Sequence, residues 1–230
     1  MKRYGKNGLP RGREMGSRVM HYCITALLNK SLNFTSDAFF LGGLAPDLHS
    51  YMGESKYYLT HFALKDDQGN TITDYDRYRR KYLVNAPSPF YLGYFFHLIF
   101  DEIWKKEIYY KKIKGLRTED RKVALEKNYR DFWRLNGKII NYHSLQLRKL
   151  EPMAIQMDEI DCRYFPALIN ELYRDFELKD KASGEALELL DFDEVVNVMD
   201  ISVQACLEAY SALKIVPDNK GPEEALHGTD

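Results

Sequence analysis

Four of the six histidines in this 230-residue chain fall between residues 21 and 97, and their neighbours define the chemistry open to them. In YFFHLIFDEIW, His97 and Asp101 stand four residues apart, so a helix carries both on one face, about one turn apart. Tyr94, Phe95, Phe96, Leu98, Ile99 and Phe100 surround the pair on nearly every side, which predicts a buried helix. A buried imidazole and carboxylate need partners, either each other through a hydrogen bond or a shared cation, because unpaired buried charge is costly. His21 lies on the first expected helix, Asp47 in a segment rich in Gly and Pro, and His61 in the tripeptide THF. Imidazole nitrogen and carboxylate oxygen are donors that Zn2+ and similar divalent ions prefer. His49, two residues after Asp47, reads either as a further ligand or donor or as an exposed side chain.

Positioning these groups is a task for helices. From Ser17, a candidate N-cap, apolar residues recur at spacings of three and four through Val19, Met20, Cys23, Ile24, Leu27 and Leu28. The apolar DAFFLGG leads into LAPDLHS, where Gly42, Gly43 and Pro46 predict a loop. A helix is expected over 74–83, and Ser88-Pro89 opens a long one over 90–113 that stops at Gly115. Thr118 starts another, whose Tyr129, Phe132 and Trp133 read as core at helical spacing; further helices fit 137–149, 164–177 and 193–214. Strand alternation bounded by hairpin turns is not sustained anywhere, so the expected fold is all-α, a single-domain multi-helix bundle. Residues 1–14 read as a flexible arm, 15–216 as the helical metal-binding domain and 217–230 as a flexible tail.

Charge and cysteine usage narrow the function classes. With 33 Lys+Arg against 34 Asp+Glu, the whole chain carries no specific signal for nucleic acid or for an anionic membrane. Locally the balance tilts: Lys105–Arg130 holds ten basic and four acidic residues, and 151–200 holds fourteen acidic and four basic. The basic stretch follows His97 and Asp101 directly, and reads as a solvated helix face or as a feature that draws an anionic substrate such as a phosphate ester. The longest uncharged stretch, Val84–Phe100, is interrupted by two prolines and falls short of the ~20 apolar residues of a transmembrane segment. Cys23, Cys162 and Cys206 are odd in number and lack CxxC spacing, which fits a reducing cytoplasm better than a disulfide framework. The basic, Gly-rich start has no apolar run behind it and does not read as a signal peptide. No His-Asp dipeptide occurs, which argues against the other common class of all-helical metallophosphohydrolases.

MGSRVMHYCIT, FFLGGLAPDLHS, the THF after it and NAPSPFYLGYFFHLIFDEIW together resemble the zinc-dependent phospholipase C family, whose fold is shared with the single-strand-specific S1/P1 nucleases. The resemblance runs from Met15 to Trp104 with distinct motifs and continues more faintly to about Leu213. It implies that Asp47, His61, His97 and Asp101 hold one zinc ion and that His21, with Asp101 bridging, holds a second; other divalent transition metals suit the same donors. The family's third ion uses the free amino group of an N-terminal Trp, two more His and a Glu in a second H-x-x-x-E helix. Here Met15-Gly16-Ser17 precede the first helix and His143 is followed by Leu147, so no third ion is expected. Characterised members are exported, so this chain reads as an intracellular relative with fewer ligands. The implied function is hydrolysis of phosphoester bonds in a small phosphate ester or phospholipid headgroup, with Asp47 as ligand and acceptor of a water proton. The alternative is a non-catalytic protein of the same fold, stabilised by metal and binding a ligand or partner in the same cleft.

Overall fold

Helix α6 (Pro89–Trp104) is the axis of the molecule, and every residue from Leu92 to Glu102 is buried. The structure is a computed structural model that describes residues 15–53, 56–84 and 87–213. Ahead of α6 come α1 (Arg18–Leu32), α2 (Ala38–Leu44), a 3-10 turn (Ala45–Leu48), α3 (His49–Met52) and α4 (Tyr57–Thr60). A small hairpin follows, β1 (Ala63–Lys65) antiparallel to β2 (Thr71–Thr73) in the register Leu64 opposite Ile72, and then α5 (Tyr75–Tyr82). After α6 come a π-helix (Lys105–Lys114), α7 (Thr118–Tyr142), α8 (Phe165–Glu177) and α9 (Phe192–Ala212). The architecture is all-α with one two-stranded sheet, and α6 packs against α1, α2 and α9. Among the described residues no helix is long and apolar enough to cross a membrane. The expected arm, 1–14, and tail, 217–230, lie outside the described residues.

Local signals account for the ends of the elements. The Ser17 hydroxyl accepts from the Met20 amide at 3.2 Å to cap α1, and the helix stops at Asn33, which takes the left-handed conformation (φ 54°). Pro89 occupies the first turn of α6, where its missing N–H costs nothing. Asp131, fully buried on α7, accepts the amides of Glu188, Leu189 and Leu190 at 2.9, 2.7 and 2.9 Å. One carboxylate thereby fastens the connection between α8 and α9 to α7.

Four expectations are corrected by the structure. The segment with Gly42 and Gly43 is helical, because these glycines serve close packing and not a turn: a Cβ on Gly42 would lie 2.0 Å from the Phe90 carbonyl oxygen, and one on Gly93 would lie 2.1 Å from that of Phe39. No helix spans 137–149. Instead α7 runs unbroken through Gly137 to Tyr142, since that glycine faces the Lys179 carbonyl oxygen, 1.9 Å from where a Cβ would sit. The β1–β2 hairpin was not expected, its three-residue strands being too short to show alternation. Finally, Trp133 is 36% exposed while its neighbour Phe132 is buried, so only part of the aromatic trio belongs to the core.

The mutual seating of α2 and α6 predicts that Gly93→Ala will force their backbones apart. Overpacking of this kind costs about 2 kcal/mol, which for a chain of this size lowers Tm by about 5 °C in a thermal melt.

Candidate metal centre

Five side chains from four elements meet beside α6. His21 comes from the middle of α1, Asp47 from the 3-10 turn, His61 from the C-terminal end of α4, and His97 with Asp101 from one face of α6. All five are buried. His61 Nε2 lies 3.4 Å from Asp101 Oδ2, and His97 Nε2 lies 3.8 Å from that oxygen and 3.9 Å from Asp47 Oδ1. His21 Nε2 faces the other carboxylate oxygens, 3.6 Å from Asp101 Oδ1 and 3.9 Å from Asp47 Oδ2. These gaps are too wide for good hydrogen bonds. They approach the edge of about 3.4 Å expected between ligands of a tetrahedral ion with bonds of about 2.1 Å.

The hydrogen bonds on the far side of each ring decide what points inward. His97 Nδ1 is 2.9 Å from the Gly43 carbonyl oxygen, which can only accept, so the ring proton sits on Nδ1 and Nε2 bears a lone pair. His97 Nε2 has no hydrogen-bond partner, although it is fully enclosed. His61 Nδ1 is 2.9 Å from Thr60 Oγ1, whose own hydroxyl reaches the Tyr57 carbonyl at 3.4 Å. Either atom can donate in the Thr60–His61 contact, so this bond orients the ring without fixing its tautomer. The His97 lone pair, the His61 ring and two carboxylates therefore converge on one point, an arrangement that suits a cation.

Electrostatics keep the rings neutral. Burial pushes the basicity of His21 and His61 well below the ordinary imidazole range; at His61 the neighbouring rings of His49, His97 and His21 and the Lys105 ammonium add to it. Burial lowers His97 to about 3 even though its bond to Gly43 works the other way. The rings of His21 and His97 stack in parallel with centroids 3.6 Å apart, a packing suited to two uncharged imidazoles.

The donor atoms of His21, His97 and Asp101 lie within 4.8 Å of one another, and so do those of Asp47, His61 and His97, so these groups could hold a metal ion. Asp101 turns one oxygen toward His21 and the other toward His61 and His97, the disposition of a bridging carboxylate. All five residues expected from the sequence are thus brought together. His143, half-buried at the end of α7, is not among them, and His227 lies outside the described residues.

Three contributors were harder to foresee. His49 is buried at the edge of the cluster and not exposed, with Nδ1 donating to the Pro46 carbonyl at 3.1 Å and its ring 5.0 Å from that of His61. Tyr57 stacks on His61 at 4.1 Å. Thr60 orients that same ring, and the adjacent Thr-His pair in THF was the signal available for it. Beside the centre opens a cleft of about 580 Å³, lined in part by Tyr57 and by Trp104 and Lys105, one turn beyond Asp101. Comparison of the chain with protein-family models, with curated proteins and with solved structures finds no match, so the family resemblance rests on the motifs themselves.

Protein prepared without chelator is expected to carry one or two equivalents of a divalent transition metal by elemental analysis. His97→Ala should remove the metal and destabilise the fold, whereas His21→Ala should spare the ion on the other side of Asp101. A pH effect follows from the lowered imidazole basicities. Unfolded histidines take up protons below about pH 6.5 while the buried ones resist until much lower pH, so the unfolded state binds more protons and stability falls as pH drops through 6.5. Urea midpoints measured at pH 7.5, 6 and 5 should decline, by about 1 kcal/mol or more per pH unit at the acid end, and bound metal should be lost over the same range.

Proposed function

We propose that the protein is a metal-dependent hydrolase of phosphoester bonds, similar in kind to zinc-dependent phospholipases C, with zinc as the ion and water as the nucleophile. The observation that supports it most is the convergence of imidazole nitrogens and carboxylates on one buried point, next to a cleft that Tyr57, Trp104 and Lys105 line. A divalent ion held by such donors polarises a phosphoryl oxygen and makes a neighbouring water more acidic.

The chain's own residues do the rest. Gly43 holds His97 in the tautomer that presents a lone pair, and Thr60 orients the His61 ring. Asp47, the most exposed of the five at 7%, is the carboxylate placed to take the proton of an attacking water while remaining a ligand. Low solvent access strengthens each of these interactions over its value in water. The substrate is a small phosphate ester, and a phospholipid headgroup is one form of it. The three free cysteines support a reducing compartment, the cytoplasm.

A second reading is a metal-stabilised binding protein without catalysis. It is favoured by the availability of four protein donors for one ion, the number that closes a structural zinc site.

A chromogenic phosphodiester separates the two. Hydrolysis should be slow, stop on chelation, and fall by about a hundredfold in kcat for Asp47→Asn, the usual scale for losing a general base. Zinc-loaded protein that turns over no phosphodiester, phosphomonoester or phospholipid above a His97→Ala control would leave the binding reading standing.

A further inference from the structure

Among the described residues, the cleft beside the candidate metal centre is walled by four cations and no acid: Lys65 of β1, Lys105 and Lys114 of the π-helix, and Arg121 of α7. Lys105 is buried and paired with Glu102, which also accepts from the Thr73 hydroxyl at 2.9 Å, so its charge is met. The other three make no ion pair among the described residues. Lys65 Nζ donates to the Gly69 carbonyl at 3.0 Å and to Thr71 Oγ1 at 2.8 Å; Lys114 Nζ donates to Asn70 Oδ1; Arg121 donates through one terminal nitrogen to the carbonyls of Lys114 and Leu116. Asp66, the acid that senses Lys114, is engaged by the amides of Gln68 and Asn70 in its own turn.

Two polar atoms on the same wall are buried with no partner. They are Nε of Arg121, a donor, and Oδ1 of Asn128, an acceptor on a side chain only 5% exposed. Groups of this kind are satisfied when a ligand arrives.

Backbone geometry points the same way. Lys114 follows Lys105 by nine residues. An α-helix turns about 900° over that interval and would put the two on opposite faces; a π-helix, at about 4.4 residues per turn, returns Lys114 to within about 20° of Lys105. The π-helix therefore sets Lys105, Tyr110 and Lys114 on one side, facing the cleft, with the Lys114 ammonium 4.2 Å from the centre of the Tyr110 ring. Tyr109 and Tyr129 add further aromatic surface. Unpaired cations suit phosphate oxygens, and flat aromatic walls suit a planar ring.

We propose that this cleft binds a nucleoside phosphate, its phosphates on Lys65, Lys114 and Arg121 and its base on the aromatic wall, and so delivers such a ligand to the metal centre. This rests on the hydrolytic reading and narrows its substrate class. Tyr57, which lines the cleft and stacks on His61, joins the two sites.

Calorimetric titration with adenosine diphosphate, and with adenosine as the uncharged control, tests it on protein as purified. The diphosphate should bind, and adenosine should bind at least about tenfold more weakly, a difference of about 1.4 kcal/mol. The double variant Lys65→Gln, Lys114→Gln, changed at sites remote from the five metal donors, should lose at least about tenfold in affinity with metal content and melting temperature unchanged. His97→Ala, where circular dichroism shows it folded, should keep its diphosphate affinity within about threefold. Binding that survives the double lysine variant but vanishes with His97→Ala would place the anion on the metal alone and overturn the proposal. Absence of binding at about 1 mM diphosphate by metal-loaded protein would overturn it too. If the protein takes up no metal yet binds the diphosphate through the lysines, the cleft assignment stands and the hydrolytic reading fails.

Discussion

Imidazole nitrogens facing carboxylate oxygens in a buried site form the constraint around which this molecule is organised. His61 and His97 turn their Nε2 atoms to the carboxylates of Asp47 and Asp101, and His21 approaches the same two acids from the other side. Enclosing so many polar donors in a buried site is costly, and a positive ion bound among them would offset that cost. A metal ion held there would help to hold α1, α4, α6 and the 3-10 turn together, as well as supply any chemistry.

Helix packing enforces that constraint. Gly42 and Gly93 let α2 and α6 approach backbone to backbone, and this approach sets the Gly43 carbonyl against His97 Nδ1 and selects its tautomer. The same seating continues without a break into the 3-10 turn that carries Asp47. A residue that only packs and a residue that only ligates are therefore coupled: spreading the two helices would release the His97 proton to either nitrogen. The aromatic shell around α6 excludes the water that would otherwise hydrate the donors.

Charge is organised on a larger scale than pairs. The chain as a whole is nearly neutral, yet one cation of the hairpin, two of the π-helix and one of α7 line a single cleft next to the centre. Acidic residues concentrate elsewhere, where several are already committed: Asp131 to backbone amides, and Glu188 to Arg130 and Arg134 at 2.5 to 2.7 Å.

Much of this was legible in the residues because it is local. The Ser17 cap, the apolar period of α1, the Pro89 start of α6 and the four-residue spacing of His97 and Asp101 each depend on a single turn of chain, and the all-α class follows from their sum. His21, Asp47 and His61 could be singled out by type and motif, but their meeting depends on contacts between elements far apart in sequence. Tertiary structure alone decided the rest. A glycine has the same local signature whether it turns the chain or admits a neighbouring backbone, so Gly42, Gly43 and Gly137 read as breaks when they are packing points. A π-helix has the composition of an α-helix, and only its pitch brings Lys114 round to Lys105. His49 is drawn from an apparently polar turn into the edge of the cluster by what packs over it, Tyr57 and His61, and no spacing rule carries that information.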